Sequence, residues 1–267
     1  MSVSDADNVL LSGFTVDGAT GDGIVANYSA ASVTPFSLDI RDVTSTNNGG
    51  DGLGIRTTVV GSVNALIRDS IFNGNGAFGV LTFFRGSGAA DVNIVDNIMS
   101  MNTRDGLRIS ARDTFTADFL VSGNQANTNT ESGFNLRAEG AGTGTYTVLN
   151  NTATGNTGDG FLFRQTSGVL QLKVQSNVST GNGSNGMQFS DSSAGTQMIL
   201  DIGGGSLGSL GQNSVFANTS QDVRIDIDGD ELKAENNWWG VSTGLAGGEL
   251  QLDSGTVDAD PFLISAP

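Results

Sequence analysis

The chain has 267 residues, enough for one large or two ordinary domains, with 39 Gly, 3 Pro and a formal net charge of −16. That charge, from 12 Lys and Arg against 28 Asp and Glu, opposes nucleic acid and anionic membrane as partners. With no Cys and no His, disulfides, thiol nucleophiles, Cys/His zinc sites and His-based triads are excluded.

The opening, MSVSDADNVLLSG, has no basic region followed by a long apolar run, so no secretory signal is expected; a piece of a larger secreted protein would read the same way. No stretch reaches the length of a membrane span. From there the chain repeats. A marker glycine falls at Gly23, Gly52, Gly79, Gly106, Gly133, Gly160 and Gly186, with Asp222 in the eighth place, at spacings of 29, 27, 27, 27, 27, 26 and 36. A fixed period in this range is the signature of a solenoid.

After each marker the first and third residues read Ile24/Ala26, Leu53/Ile55, Val80/Thr82, Leu107/Ile109, Phe134/Leu136, Phe161/Phe163, Met187/Phe189 and Val223/Ile225. Alternation with period two predicts a strand whose listed residues face inward, Thr82 being the polar exception. A second alternating pair precedes each marker, from Val9/Leu11 and Leu38/Ile40 to Tyr146/Val148 and Leu172/Val174, and a shorter third face holds Phe72, Met99, Ala126, Ala153 and Ser179. Two asparagine columns separate the faces: Asn48, Asn75, Asn102, Asn129, Asn156, Asn182 and Asn218, and Asn97, Asn124, Asn151, Asn177 and Asn213. Asn tolerates a left-handed corner, and stacked amides bond along an axis, so these residues are expected to turn the chain and the loss of one to be bridged by its neighbours.

Three strands and three corners in about 27 residues make one coil. The expectation is an all-β, single-stranded right-handed parallel β-helix of eight to nine coils, forming one domain over residues 1–267. Residues 203–212, GGGSLGSLGQ, read as a Gly-rich insertion in the last coil, and residues 236–267 as a C-terminal cap led by Trp238 and Trp239.

From about residue 8 to 264 the chain resembles the right-handed parallel β-helix proteins of the pectate-lyase-like superfamily, and the closing Asn-Trp-Trp-Gly (237–240) and Val-Asp-Ala-Asp-Pro-Phe-Leu (257–263) strengthen the likeness. The resemblance implies the fold and, in members that cleave polysaccharides, substrate binding on the outer face of one sheet; it hosts many activities and fixes none. Polygalacturonase-like chemistry needs a His that is lacking. The Arg-x-Pro-x-x-Arg motif of pectate lyases is also missing, since no Pro lies between Pro35 and Pro261. No catalytic residue is assigned; Asp105 and Asp159, equivalent residues two coils apart, meet the spacing of an acid and base pair only as many repeat proteins would.

Outward positions on the marker strand carry Arg56, Arg108, Arg137, Arg164 and Arg224, with Arg85 and Arg112 at the next corner: seven of the ten arginines. They fit a cleft for an anionic polymer such as a polyuronate, or a solvated face paired with Asp22, Asp51, Asp105 and Asp159. Leu81 and Phe83 point outward, for a sugar or for self-association. Asp226, Asp228 and Asp230 alternate as a cation site would, calcium being the ion; a polar edge strand explains them equally. No other cofactor is implied. The resulting expectation is a non-catalytic domain of a bacterial surface or secreted protein, presenting a long face for adhesion or glycan binding, with acidic polysaccharide as partner and neither nucleic-acid binding nor membrane insertion. The alternatives are a polysaccharide lyase or related carbohydrate-active enzyme, and a structural spacer or self-associating stalk.

Overall fold

The alternating apolar pairs build three stacks of parallel strands that wind around one core. A computed structural model of the protein describes residues 1–29, 35–59, 61–191, 197–245 and 248–267. The first sheet stacks β1 (Ser2–Ser4), β4 (Ile24–Tyr28), β7 (Leu53–Val59), β9 (Val80–Gly86), β11 (Leu107–Asp113), β13 (Phe134–Leu149), β15 (Phe161–Gln175), β17 (Met187–Asp191), β20 (Val223–Ala234) and β21 (Leu250–Asp258). The second stacks β2 (Asn8–Ser12), β5 (Phe36–Arg41), β8 (Ser62–Arg68), β10 (Ala89–Val95), β12 (Thr116–Ser122) and β18 (Gln197–Gly203), joined by the far halves of β13, β15, β20 and β21. The third face is short: β3 (Thr15–Asp17), β6 (Thr44–Thr46), β14 (Thr152–Thr154), β16 (Val178–Thr180) and β19 (Ser214–Phe216), linked by single bridges at Ile71, Ile98 and Gln125.

Every strand pair is parallel, and the pairing repeats the sequence period, as in Val80↔Leu107↔Phe134↔Phe161. All sixteen residues of the marker-strand pairs are buried, and so are Phe72, Met99, Ala126, Ala153 and Ser179. Like residues therefore stack on like: Phe134 lies 4.7 Å from Phe161 with rings 6° from parallel, and Phe163 lies 5.1 Å from Phe189. These separations match the rung spacing of about 4.8 Å.

The asparagine columns are continuous ladders. Along one, the backbone and side-chain amides of Asn97 both donate to Asn124 Oδ1, and the same double bond passes through Asn151, Asn177 and Asn213 to Asn237. Along the other, Asn48 to Asn218 repeat the pattern, and Asp222 Oδ1 closes it by accepting both amides of Asn218. Asp222 thus stands at a marker position because the ladder ends there.

One expectation is corrected. The ladder asparagines do not hold the left-handed conformation; the residue before each does, including Asn47, Met101, Thr128, Asn150 and Ala217. That residue turns the corner, which frees the asparagine side chain to point inward. Each ladder asparagine also makes contacts of its own: Asn129 Nδ2 donates to Met99 O and Asn156 Oδ1. The marker glycines serve clearance, not a special φ. A Cβ on Gly133 would lie 2.9 Å from both Asn156 Nδ2 and Gly160 O.

The segment 203–212 leaves the coil, pinned by buried Asp201, which accepts from the backbone amides of Gly203, Gly205 and Ser209. Residues 236–267, of which 246–247 lie outside the described residues, add another rung: β21 pairs with β20, Trp239 is fully buried on the third face, and the Trp238 amide donates to Asn213 O.

Asn129→Ala should cost about 2–4 kcal/mol, since it leaves the buried Asn102 amide without its acceptor. Urea unfolding measures this, and a loss under about 1 kcal/mol would show the ladder to be redundant. Thr82 is buried among isoleucines with its Oγ1 unpaired, so Thr82→Val should stabilise by about 1 kcal/mol in the same assay.

Candidate functional site: an arginine-bearing face

Because strand pairing is in register, outward side chains of the first sheet form columns along the axis. One runs Asn27, Arg56, Phe83, Ser110, Arg137, Arg164, Ser190; its neighbour runs Leu81, Arg108, Asn135, Leu162, Gln188, Arg224. The arginines on them differ in what they already hold. Arg56 is occupied by Asp22 at 3.0 Å and Asp51 at 2.6 Å, and Arg224 by Asp253 at 2.9 Å. Among the described residues, no hydrogen bond or ion pair holds Arg108 or Arg164; Arg108 lies 5.5 Å over the ring of Phe78.

Between them sits Arg137, whose side chain is only 17% exposed. Its Nε donates to Asn135 Oδ1 at 2.8 Å, and Asn135 Nδ2 donates to Asp105 Oδ2 at 2.9 Å. On its other side Glu139 lies 3.6 Å away, accepting also from Ser110 Oγ at 2.5 Å and Arg112 Nε at 2.7 Å. Asp105, Asn135, Arg137, Glu139 and Arg112 thus form one bonded chain across neighbouring rungs. It holds the Arg137 fork in place before any ligand arrives.

Burial depresses the Arg137 guanidinium below the ordinary arginine range, and the charges of Arg108 and Arg164 add to this against Glu139 and Asp105. Burial pushes Glu139 up, but the bonds from Ser110 and Arg112 and the two guanidinium charges together hold it below the usual carboxylate value. Asp105 is raised to about 6, first by burial, with Glu131 assisting; the amide of Ser132, Asn135 and the charge of Arg108 oppose.

The sequence matches the family model of the right-handed β-helix region over residues 2–179. The chain belongs to the right-handed β-helix family. No curated protein matches it. Among solved structures it is similar to the A-module of mannuronan C-5 epimerase AlgE4 from Azotobacter vinelandii, at 14% identity and a TM-score of 0.37, covering 99% of this chain and 88% of that one. It is similar also to the AlgE6 A-module of the same organism, at 14% identity and a TM-score of 0.27, covering 100% and 88%.

In this β-helix the pairing of Arg with the aspartates before each marker holds only in the first coils. Among the described residues no Arg pairs with Asp105 or Asp159: Asp105 accepts from Ser132 N and Asn135 Nδ2, and Asp159 from Asn185 N and Nδ2. Both are buried, so they do not face a substrate as an acid and base pair would. Leu81 and Phe83 lie on the outward columns, as expected, and are half-buried; guanidinium groups of Arg112 and Arg85 lie 4.8 and 5.7 Å over Phe83. Phe84 belongs to the core.

Asp226, Asp228 and Asp230 do not come together. β20 bends between the first and second sheets around Gly229, at φ +80°, so Asp226 ends one face beside Ser254 while Asp230 accepts from Met198 N on the next. Among the described residues no group of three or more acidic side chains could hold a metal. Asn135, Ser110 and Glu139 are the members of the site that repeat analysis missed. Each stands at an outward position where the period imposes no residue type.

The raised Asp105 fixes a pH dependence. Its folded pKa exceeds the unfolded one, so stability is fully present below about 4 and is lost as pH rises toward about 6, by of order 2–3 kcal/mol. Asp105→Asn should abolish this fall, seen by comparing urea unfolding of variant and parent at pH 4.5 and pH 7. Equal slopes in both proteins would mean the carboxyl titrates normally.

Proposed function

We propose that the arginine-bearing face binds an acidic polysaccharide without cleaving it, as part of a bacterial surface or secreted protein. The observation that carries this is Arg108 and Arg164, unpaired on either side of a partly buried Arg137, in a chain of net charge −16. Guanidinium forks grip carboxylates bidentately, and an unpaired fork gives up no existing ion pair in doing so. Successive rungs repeat at about 4.8 Å, close to the length of one sugar unit, so a chain laid along the axis meets a cation at neighbouring units. The protein's overall charge repels the same polymer at long range, so binding is weak and falls as salt screens the local contacts. The cations come from the protein itself, and retention should survive a chelator.

A second reading is a polysaccharide lyase or related enzyme with arginine as base, supported by Arg137 on this face, whose guanidinium burial depresses below the ordinary arginine range. Unsaturated products absorbing in the ultraviolet would favour it over simple binding.

The test follows from which arginines are free. Arg108→Ala with Arg164→Ala should abolish retention on immobilised polyuronate and leave Tm within about 2 °C, since neither side chain makes a hydrogen bond or ion pair among the described residues and the Phe78 contact of Arg108 is at the surface. Arg56→Ala, which removes an arginine already held by two aspartates, should leave retention unchanged. If the double variant is retained like the parent, or the parent is not retained at all, the face is only a solvated surface.

A further inference from the structure

The bonded chain that holds Arg137 begins at a buried carboxylate. Asp105 is 1% exposed. Its Oδ1 accepts from Ser132 N and its Oδ2 from Asn135 Nδ2, both at 2.9 Å, while Asn135 Oδ1 accepts from Arg137 Nε at 2.8 Å. Both partners of the carboxylate are donors, so a proton on Asp105 requires one of them to change. The Ser132 amide is fixed in the backbone. Asn135 is free to turn its carboxamide over, which presents Oδ1 to the Asp105 hydroxyl and puts Nδ2 toward Arg137, where a donor meets a donor. Protonating Asp105 therefore releases Arg137 Nε and removes a negative charge beside the cluster, while Glu139 still holds the other side of the fork.

The charged groups around Asp105 come from three places. Arg108 lies on its own strand, and Glu131 and Arg137 lie one rung on, with Glu131 paired to Arg104 at 3.2 Å. On the preceding rung the equivalent position is Phe78, which brings no charge. Burial, with Glu131 assisting, places the Asp105 carboxyl at about 6. Glu139, the other carboxyl of the cluster, is held low by its partners, and the chain has no His. Two further carboxyls are raised by burial, Asp51 and Asp222, but they are bonded to Arg56 and Asn218, outside the cluster. An anion seated on Arg108 and Arg137 repels the charge of Asp105 and so favours its neutral form. Linkage makes this reciprocal: neutral Asp105 favours the anion by the same factor.

We propose that the arginine face is a proton-coupled anion site, which binds an acidic polymer more tightly when Asp105 is protonated and takes up a proton as the polymer binds. The inference rests on the binding function proposed above and adds its regulation. One negative charge a few ångströms away, partly screened by water, is worth about a tenfold change in affinity. As pH falls from 7.5 to 5 the repulsion is lost and affinity rises. Protonation of a uronate ligand works in the opposite direction, so the sign separates the two effects.

The experiment is calorimetric titration of the full chain with a uronate hexamer at pH 5, 6.5 and 7.5, at one ionic strength and in buffers of different ionisation enthalpy. For the parent, affinity should rise about tenfold from pH 7.5 to pH 5, and the buffer dependence of the heat at pH 6.5 should show uptake of about half a proton per molecule. Asp105→Asn, neutral at every pH, should bind at pH 7.5 as tightly as the parent does at pH 5, with no uptake. Asp51→Asn, which neutralises a buried carboxyl away from the cluster, should keep the parent's pH profile and uptake. A merely structural role for Asp105 would shift affinity by one factor at every pH and leave the uptake in place. If the parent binds equally at all three pH values without taking up a proton, or Asp105→Asn still takes one up, the coupling is overturned and the binding function stands alone. Absence of binding by the parent at every pH overturns both.

Discussion

From the second coil onward, each coil of this protein is held to the next by the same pair of hydrogen bonds, repeated at the same corner: a backbone amide and a side-chain amide of one asparagine, both donated to the side-chain oxygen of the next. The bond demands that corners superimpose along the axis. Once they do, coil length is fixed, every inward residue stacks on its equivalent, and every outward residue joins a column. An extra residue within a coil has to leave the stack, as residues 203–212 do, and needs its own anchor in Asp201. The ladders also satisfy amides at corners closed to water, where an unpaired group costs most.

The stacked interior leaves the outer columns free of packing constraints, and there the chemistry differs from coil to coil. In the first coils Arg56 is neutralised by two aspartates. Farther along, the equivalent aspartate, Asp105, bonds to Asn135 in place of an arginine, and Arg108 is left without a hydrogen bond or ion pair among the described residues. One repeat thus yields a neutral surface in one place and an excess of cations in another. The bonded chain from Asp105 to Arg112 keeps the central arginine ordered, so less rotamer freedom is lost when an anion binds.

This site also carries a cost in stability, since Asp105 is buried where its charged form is disfavoured. A purely structural corner would serve better with Asn or Ser, and Ser132 and Asn185 stand at the corresponding place one and three coils on. Strain of this kind is tolerated where a site gains from it.

The sequence alone determined the winding. Period, inward alternation and asparagine spacing are local and repetitive, and a signal repeated in nearly every coil survives exceptions such as Thr82. It also placed the arginines on one face, because side-chain direction in a strand follows from parity. What it left open was decided by contacts between coils. The left-handed residue turned out to precede the asparagine, because the ladder needs the asparagine side chain pointing inward. Asp230 was parted from Asp226 and Asp228 by a bend at Gly229 that alternation cannot register. Which arginines are spent and which are free depends on the residues one rung away, some 27 positions distant in the chain, and only the folded stack brings those neighbours within reach.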